Sequence, residues 1–172
     1  MKSWIVVATA VLALAVVLCG AGGAEASETL KLSFTTSAPS GVAKYGTKNV
    51  HAIWIEDSKG GFVKTIARWA KDQKRQLTDW KKADGTDTDG MTGATQKNYG
   101  AYTAEWDLRG RDGKPVPNGA YKIQLELTNN DAKKDQRNRV TLSFDKNGVT
   151  RSQEIASQGG YTNIKIQYIS EK

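Results

Sequence analysis

The segment Asp89-Gly-Met-Thr-Gly-Ala-Thr95 holds the residues of this sequence best suited to a chemical role. It ends on a threonine hydroxyl next to Gly93 and Ala94, which leave the backbone uncrowded. A hydroxyl is a weak nucleophile at neutral pH, and it needs a base and charge stabilisation to attack phosphorus. Neighbouring residues supply neither. His51 is the sole histidine and sits in an apolar run, where a packed or surface role is expected; it has no partner for a metal pair or a triad. The closely spaced carboxylates Asp84, Asp87 and Asp89 invite comparison with a calcium loop. An EF-hand, however, needs Asp or Asn at alternate positions and a glutamate at the twelfth. Here position 85 is glycine, and no glutamate stands at 94 or 96. No catalytic residue and no metal site is therefore assigned.

The same segment matches Asp-x-x-[Ser/Thr]-Gly-Ala-Thr at every fixed position, a match expected by chance on the order of once in a few thousand chains of this size. This pattern resembles the acceptor site of the FAD:protein FMN transferase, which recurs in flavin subunits of the sodium-pumping quinone reductase and the related Rnf complex. The resemblance implies that the transferase, with its own base and Mg²⁺, places FMN on Thr95 as a phosphoester. It also implies that Asp89, Thr92, Gly93 and Ala94 form the docked acceptor motif.

The elements that position this segment begin after an export signal. Lys2 precedes an apolar run from Trp4 to Leu18, and Ala24-Glu-Ala26 matches a signal-peptidase site. The run is short for a membrane span, so no stable insertion is expected. Cys19, the only cysteine, lies within this leader, and the bulky Leu18 before it disfavours lipidation. Cleavage after Ala26 leaves residues 27–172 as one domain in the periplasm, without disulfides, stabilised by packing. The net charge of +7 favours acidic partners such as electron-carrier proteins. Nucleic acid is not an expected partner for an exported protein.

Within that domain the pattern is β-rich. Leu30–Phe34 and Ala120–Leu127 alternate apolar and polar residues. Val50–Ile55 and Phe62–Ala67 flank a turn-rich stretch and read as a hairpin. Tyr102–Trp106, Val140–Phe144 and Ile164–Ile169 are further strands, and Val149 to Ile155 is a candidate short one. The spacing of Leu77 and Trp80 suggests one short helix within Asp72–Ala83. Asp84 to Gly100 reads as one long loop, a length that marks function or disorder. Six or seven strands, mostly antiparallel, predict an all-β, immunoglobulin-like antiparallel β-sandwich with this loop as its functional element. Trp54 and Trp106 are assigned to the core. Trp69 and Trp80 flank the loop in sequence; core packing is their first role, and either is a candidate to stack on a flavin.

Two further resemblances extend the reading. Trp106-Asp-x-x-Gly-x-Asp-Gly-Lys-Pro-Val-Pro-x-Gly-x-Tyr121 is similar to a hairpin of bacterial immunoglobulin-like domains, with aromatics at its ends packing across the strand pair. From Val50 to Leu127 the order His51-Ala-Ile-Trp-Ile-Glu-Asp, Arg68-Trp69, Leu77, Trp80, Thr92-Gly-Ala-Thr95, Trp106-Asp and Pro115 to Tyr121 resembles an uncharacterised bacterial family of small predicted periplasmic proteins. Leu108 stands where that family more often has glycine. The hairpin marks only the fold; the family resemblance, in which the acceptor motif recurs, and the acceptor pattern together imply a periplasmic flavoprotein with covalent FMN on Thr95. It would be a non-enzymatic electron carrier, working with redox partners such as a cytochrome or a membrane flavin or quinone reductase. The alternative expectation is a cofactor-free immunoglobulin-like binding or structural module.

Overall fold

A computed structural model describes residues 27–37, 49–70, 74–84, 91–93, 99–128 and 138–171. Nine strands and one short helix follow in order: β1 Glu28–Thr36, β2 Val50–Asp57, β3 Phe62–Trp69, α1 Thr78–Asp84, β4 Met91–Gly93, β5 Ala101–Trp106, β6 Gly119–Thr128, β7 Asn138–Lys146, β8 Arg151–Ile155 and β9 Tyr161–Ser170. They form two packed sheets, ordered β5-β1-β9-β8 and β4-β3-β2-β6-β7. Every pairing is antiparallel except β3 with β4.

The pairing is that of an immunoglobulin core. An immunoglobulin domain orders its strands A-B-E-D on one sheet and C-F-G on the other. Here β1 and β5 pair as B and E, while β2, β6 and β7 stand as C, F and G, with β3 flanking β2. The place of strand A beside β1 is taken by β9, which returns from the C-terminal side of the chain and carries β8 as a new edge.

Alternation decides what each sheet buries. Leu30, Leu32 and Phe34 of β1 face Ile123, Leu125 and Leu127 of β6 and Val140, Leu142 and Phe144 of β7 across one core. Strand β2 departs from alternation because both of its faces are covered, and a strand buried on both sides reads as a continuous apolar run. Ile53 and Ile55 point into the main core. Val50, Ala52 and Trp54 point outward into a second cluster with Ala70, Leu77 and Trp80. The chain from Lys74 to Asp84, a 3-10 turn followed by α1, lies over that outer face.

The helix is anchored by a residue from the sheet below it. Glu126, fully buried on β6, accepts from the backbone N–H groups of Thr78 (2.9 Å), Asp79 (3.3 Å) and Trp80 (2.9 Å). These donors have no partner inside a helix, and a carboxylate is the stronger kind of acceptor for them. Burial pushes the Glu126 carboxyl above its usual range, and the three donors pull the other way.

The Trp106–Tyr121 segment corrects one expectation. Its two ends lie in different sheets, so it is a corner between sheets rather than a hairpin. The aromatics still meet, edge to face at 5.5 Å, but they do so across the core. The Tyr121 hydroxyl donates to the Pro117 carbonyl at 2.7 Å, four residues upstream. This is the tyrosine corner of immunoglobulin-like sandwiches. The Trp106 indole N–H donates to Arg109 O at 2.9 Å and closes the turn.

Leu108 sits in this corner with a φ of 53°, in the left-handed region that favours glycine, yet its side chain is 1% exposed in the core. Two effects oppose each other on Leu108→Gly. Strain relief contributes about 1–2 kcal/mol, while emptying a buried leucine site costs about 2–5 kcal/mol. The cavity wins. Leu108→Gly is expected to lower stability by about 1–3 kcal/mol in urea unfolding; a stabilised variant would show that the strain dominates.

Candidate functional site

The acceptor segment is partly built into the sheet. Met91–Gly93, expected to be loop, forms the edge strand β4, which runs parallel to the end of β3: Ala67 pairs with Met91, Arg68 with Thr92 and Trp69 with Gly93. Asp89, Ala94 and Thr95 lie outside the described residues. The chain is described again at Tyr99 and Gly100. Gly100 is fastened to the other sheet: its carbonyl accepts from Thr36 N–H (2.8 Å) and its own N–H donates to Thr36 Oγ1 (3.2 Å). Strand β5 starts at the next residue. Gly93 on one sheet and Gly100, fastened to the other, are the described points on either side of residues 94–98.

Beneath this edge is a cluster that single residues of the sequence did not announce. The His51 ring stacks on Trp69 with centroids 4.3 Å apart and planes 13° apart. Tyr102 meets both rings edge-on, at 4.6 and 5.2 Å, and stacks on Phe34 at 5.9 Å. Phe34 in turn meets Tyr161 at 5.3 Å. Asn49 ties the group to Thr36, the residue that holds Gly100, donating from Nδ2 to the Tyr102 hydroxyl (2.8 Å) and to Thr36 Oγ1 (3.0 Å).

His51 is fully buried, and burial drives its imidazole from the ordinary 6.5 down to about 3. Neither of its ring nitrogens has a hydrogen-bond partner among the described residues. It is a neutral packing ring at any physiological pH, so the expectation of a packed residue rather than a catalyst is the one that fits.

The two tryptophans flanking the loop in sequence lie on opposite faces of one sheet. Trp69 is 6% exposed and belongs to the main core. Trp80 is fully buried in the outer cluster, with its indole N–H on Thr65 Oγ1 at 2.9 Å. The Arg68 guanidinium and the Lys74 ammonium lie over its ring, at 5.4 and 5.3 Å. Core packing is the observed role of both.

Two of the surface grooves are remote from this edge. A groove of about 550 Å³ lined by Glu28, Asp107, Leu108, Arg109 and Pro115 lies where β1 begins and β5 ends, the far end of the sandwich from Gly93 and Gly100. At that far end Lys146, nearly buried, pairs with Glu28 at 2.6 Å and donates to Asn118 at 2.9 Å. Among the described residues there is no group of three or more His, Cys, Asp or Glu that could hold a metal ion, and no helix long and apolar enough to cross a membrane.

The fold defines an all-β, immunoglobulin-like sandwich. Residues 31–163 match the family described as "Predicted periplasmic protein (DUF2271)", and the chain belongs to it. Neither a curated protein nor a solved structure matches the chain.

Proposed function

We propose that this chain is a periplasmic flavoprotein that carries FMN on Thr95, attached by an FAD:protein FMN transferase after residues 1–26 are removed. The observation that carries the reading is the acceptor pattern Asp89-Gly-Met-Thr-Gly-Ala-Thr95. Its setting supports it. Met91–Gly93 of the pattern lies on an edge strand, and the chain is fastened again at Gly100. Membership of a predicted periplasmic family supports the compartment. The ladder also starts where the leader would end, since the Ser27 carbonyl already accepts from Glu171 N–H at 2.9 Å.

In the attachment step the Thr95 oxygen bonds to the FMN-side phosphorus of FAD. The bond between the two phosphates breaks, and AMP leaves with the hydroxyl proton. The base and metal for this displacement belong to the transferase. Once bound, FMN supplies one- and two-electron redox chemistry, while the protein supplies position and environment. Tethering keeps the ring at high effective concentration near redox partners such as a cytochrome or a membrane flavin or quinone reductase. The chain acts as an electron carrier rather than as an enzyme with its own substrate.

Co-expression with the transferase is expected to raise the intact mass by FMN minus water, and Thr95→Ala to abolish the gain completely. An unmodified wild-type chain, under conditions that flavinylate a known acceptor, would falsify this function. That result would favour a cofactor-free binding module, a reading supported by topology: the connections from β1 to β2, β4 to β5 and β6 to β7 all leave from one end, as the recognition loops of variable domains do.

A further inference from the structure

We propose that an FMN held on Thr95 rests on Tyr99 and Tyr102, which would form its ring-binding platform at the start of β5; this placement rests on the attachment proposed above. Exposure is the first reason. Among the described aromatic residues only Phe62, Tyr99 and Tyr102 are partly exposed. Phe62 lies at the opposite end, beside the β2–β3 turn, under the Arg111 guanidinium at 4.5 Å. The tryptophans are spent on packing: Trp69 is stacked on His51, and the Trp80 ring has two cations over it.

Reach is the second reason. Thr95 is four positions from Tyr99 in the sequence, and Tyr99 directly precedes Gly100, which is bonded to Thr36. The third is rigidity. Tyr99 packs against the main core, and the Tyr102 hydroxyl accepts from Asn49 while its ring stacks on Phe34. A flavin that lands here meets rings already held in place, so little side-chain entropy is lost on stacking. Offset or edge contacts between aromatic rings contribute beyond simple area burial.

The placement has an optical consequence. A phenol in contact with a photoexcited flavin gives it one electron, and the electron returns in the dark, with emission lost and no net reaction. A phenylalanine ring is too hard to oxidise to do this. The experiment measures flavin emission and excited-state lifetime of the full flavinylated chain, with attachment verified by intact mass, natively and in urea. Native emission is expected to be several-fold weaker than in urea. Tyr99→Phe with Tyr102→Phe is expected to restore most of the difference, and Trp80→Phe to leave the quenching in place. Tyr99→Phe alone, which leaves the Asn49 hydrogen bond intact, is expected to restore part of it. Native emission equal to that in urea, or a double variant still fully quenched, would overturn the platform while leaving attachment intact. A chain that gains no flavin mass would overturn the attachment itself.

Discussion

Replacing Trp80 with alanine is expected to cost about 4 kcal/mol of stability, within the range for emptying a buried tryptophan site. This is a large share of the roughly 5–15 kcal/mol that holds a domain folded. Trp80 is one of the two tryptophans of the outer cluster and is fully buried. Its loss would leave Val50, Ala52, Trp54 and Leu77 around a void and remove the donor to Thr65 Oγ1. The Arg68 and Lys74 contacts would go with it. The main core between the sheets shares no residue with this cluster, so the damage is expected to start locally. Urea unfolding measures the total cost. Hydrogen exchange locates it, with protection lost first at the Thr78 and Trp80 amides that Glu126 anchors. Trp80→Phe is expected to cost markedly less. A loss below about 1 kcal/mol in the alanine variant would mean that the segment from Lys74 to Asp84 contributes little to the fold.

This outer layer also marks where the sequence could be read and where it could not. Alternation in Ala120–Leu127 correctly put Tyr121, Ile123, Leu125 and Leu127 on one side of β6. The same alternation would send Glu126 to solvent. It is buried instead, because a non-local segment folds over that face and offers three backbone donors. A glutamate that receives a helix start from elsewhere in the chain leaves no local trace. Strand β4 was missed for a related reason: three residues including a glycine show no period, and the parallel pairing that defines them comes from β3, more than twenty positions away in the chain.

Local chemistry travelled better than geometry. The turn residues between Asp107 and Gly119 were legible as a turn, but only the three-dimensional fold reveals that they change sheets. The acceptor pattern could be read from side-chain types alone. Its platform could not, since Tyr99 and Tyr102 become distinctive only once Trp69 and Trp80 are seen to be buried. His51 illustrates the same limit, because nothing in Val50-His-Ala-Ile tells a packed imidazole from an exposed one. The stack on Trp69 does.

That stack makes the protein sensitive to acid. The imidazole titrates near 6.5 when the chain is unfolded and at about 3 when folded, because the described rings around it are Phe34, Trp69 and Tyr102 and burial penalises its charged form. Between those values the unfolded state binds a proton that the folded state refuses, so stability must fall as pH falls. The slope is about 1.4 kcal/mol per pH unit, which accumulates to about 5 kcal/mol if it runs down to pH 3. Above 6.5 both states are neutral and the effect vanishes. Glu126 works in the opposite direction: its raised carboxyl takes up a proton in the folded state before the unfolded chain does, so stability is gained as pH falls from its folded value towards the ordinary 4.5. The difference between wild type and His51→Phe removes that contribution, since Glu126 is common to both. Urea unfolding of the two proteins from pH 7.5 to 5 is expected to show a stability difference that is flat above 6.5. Below it, the wild type should lose about 2 kcal/mol relative to the variant by pH 5. Parallel curves across that range would mean that His51 accepts a proton inside the fold, and that the rings around it part to let water in.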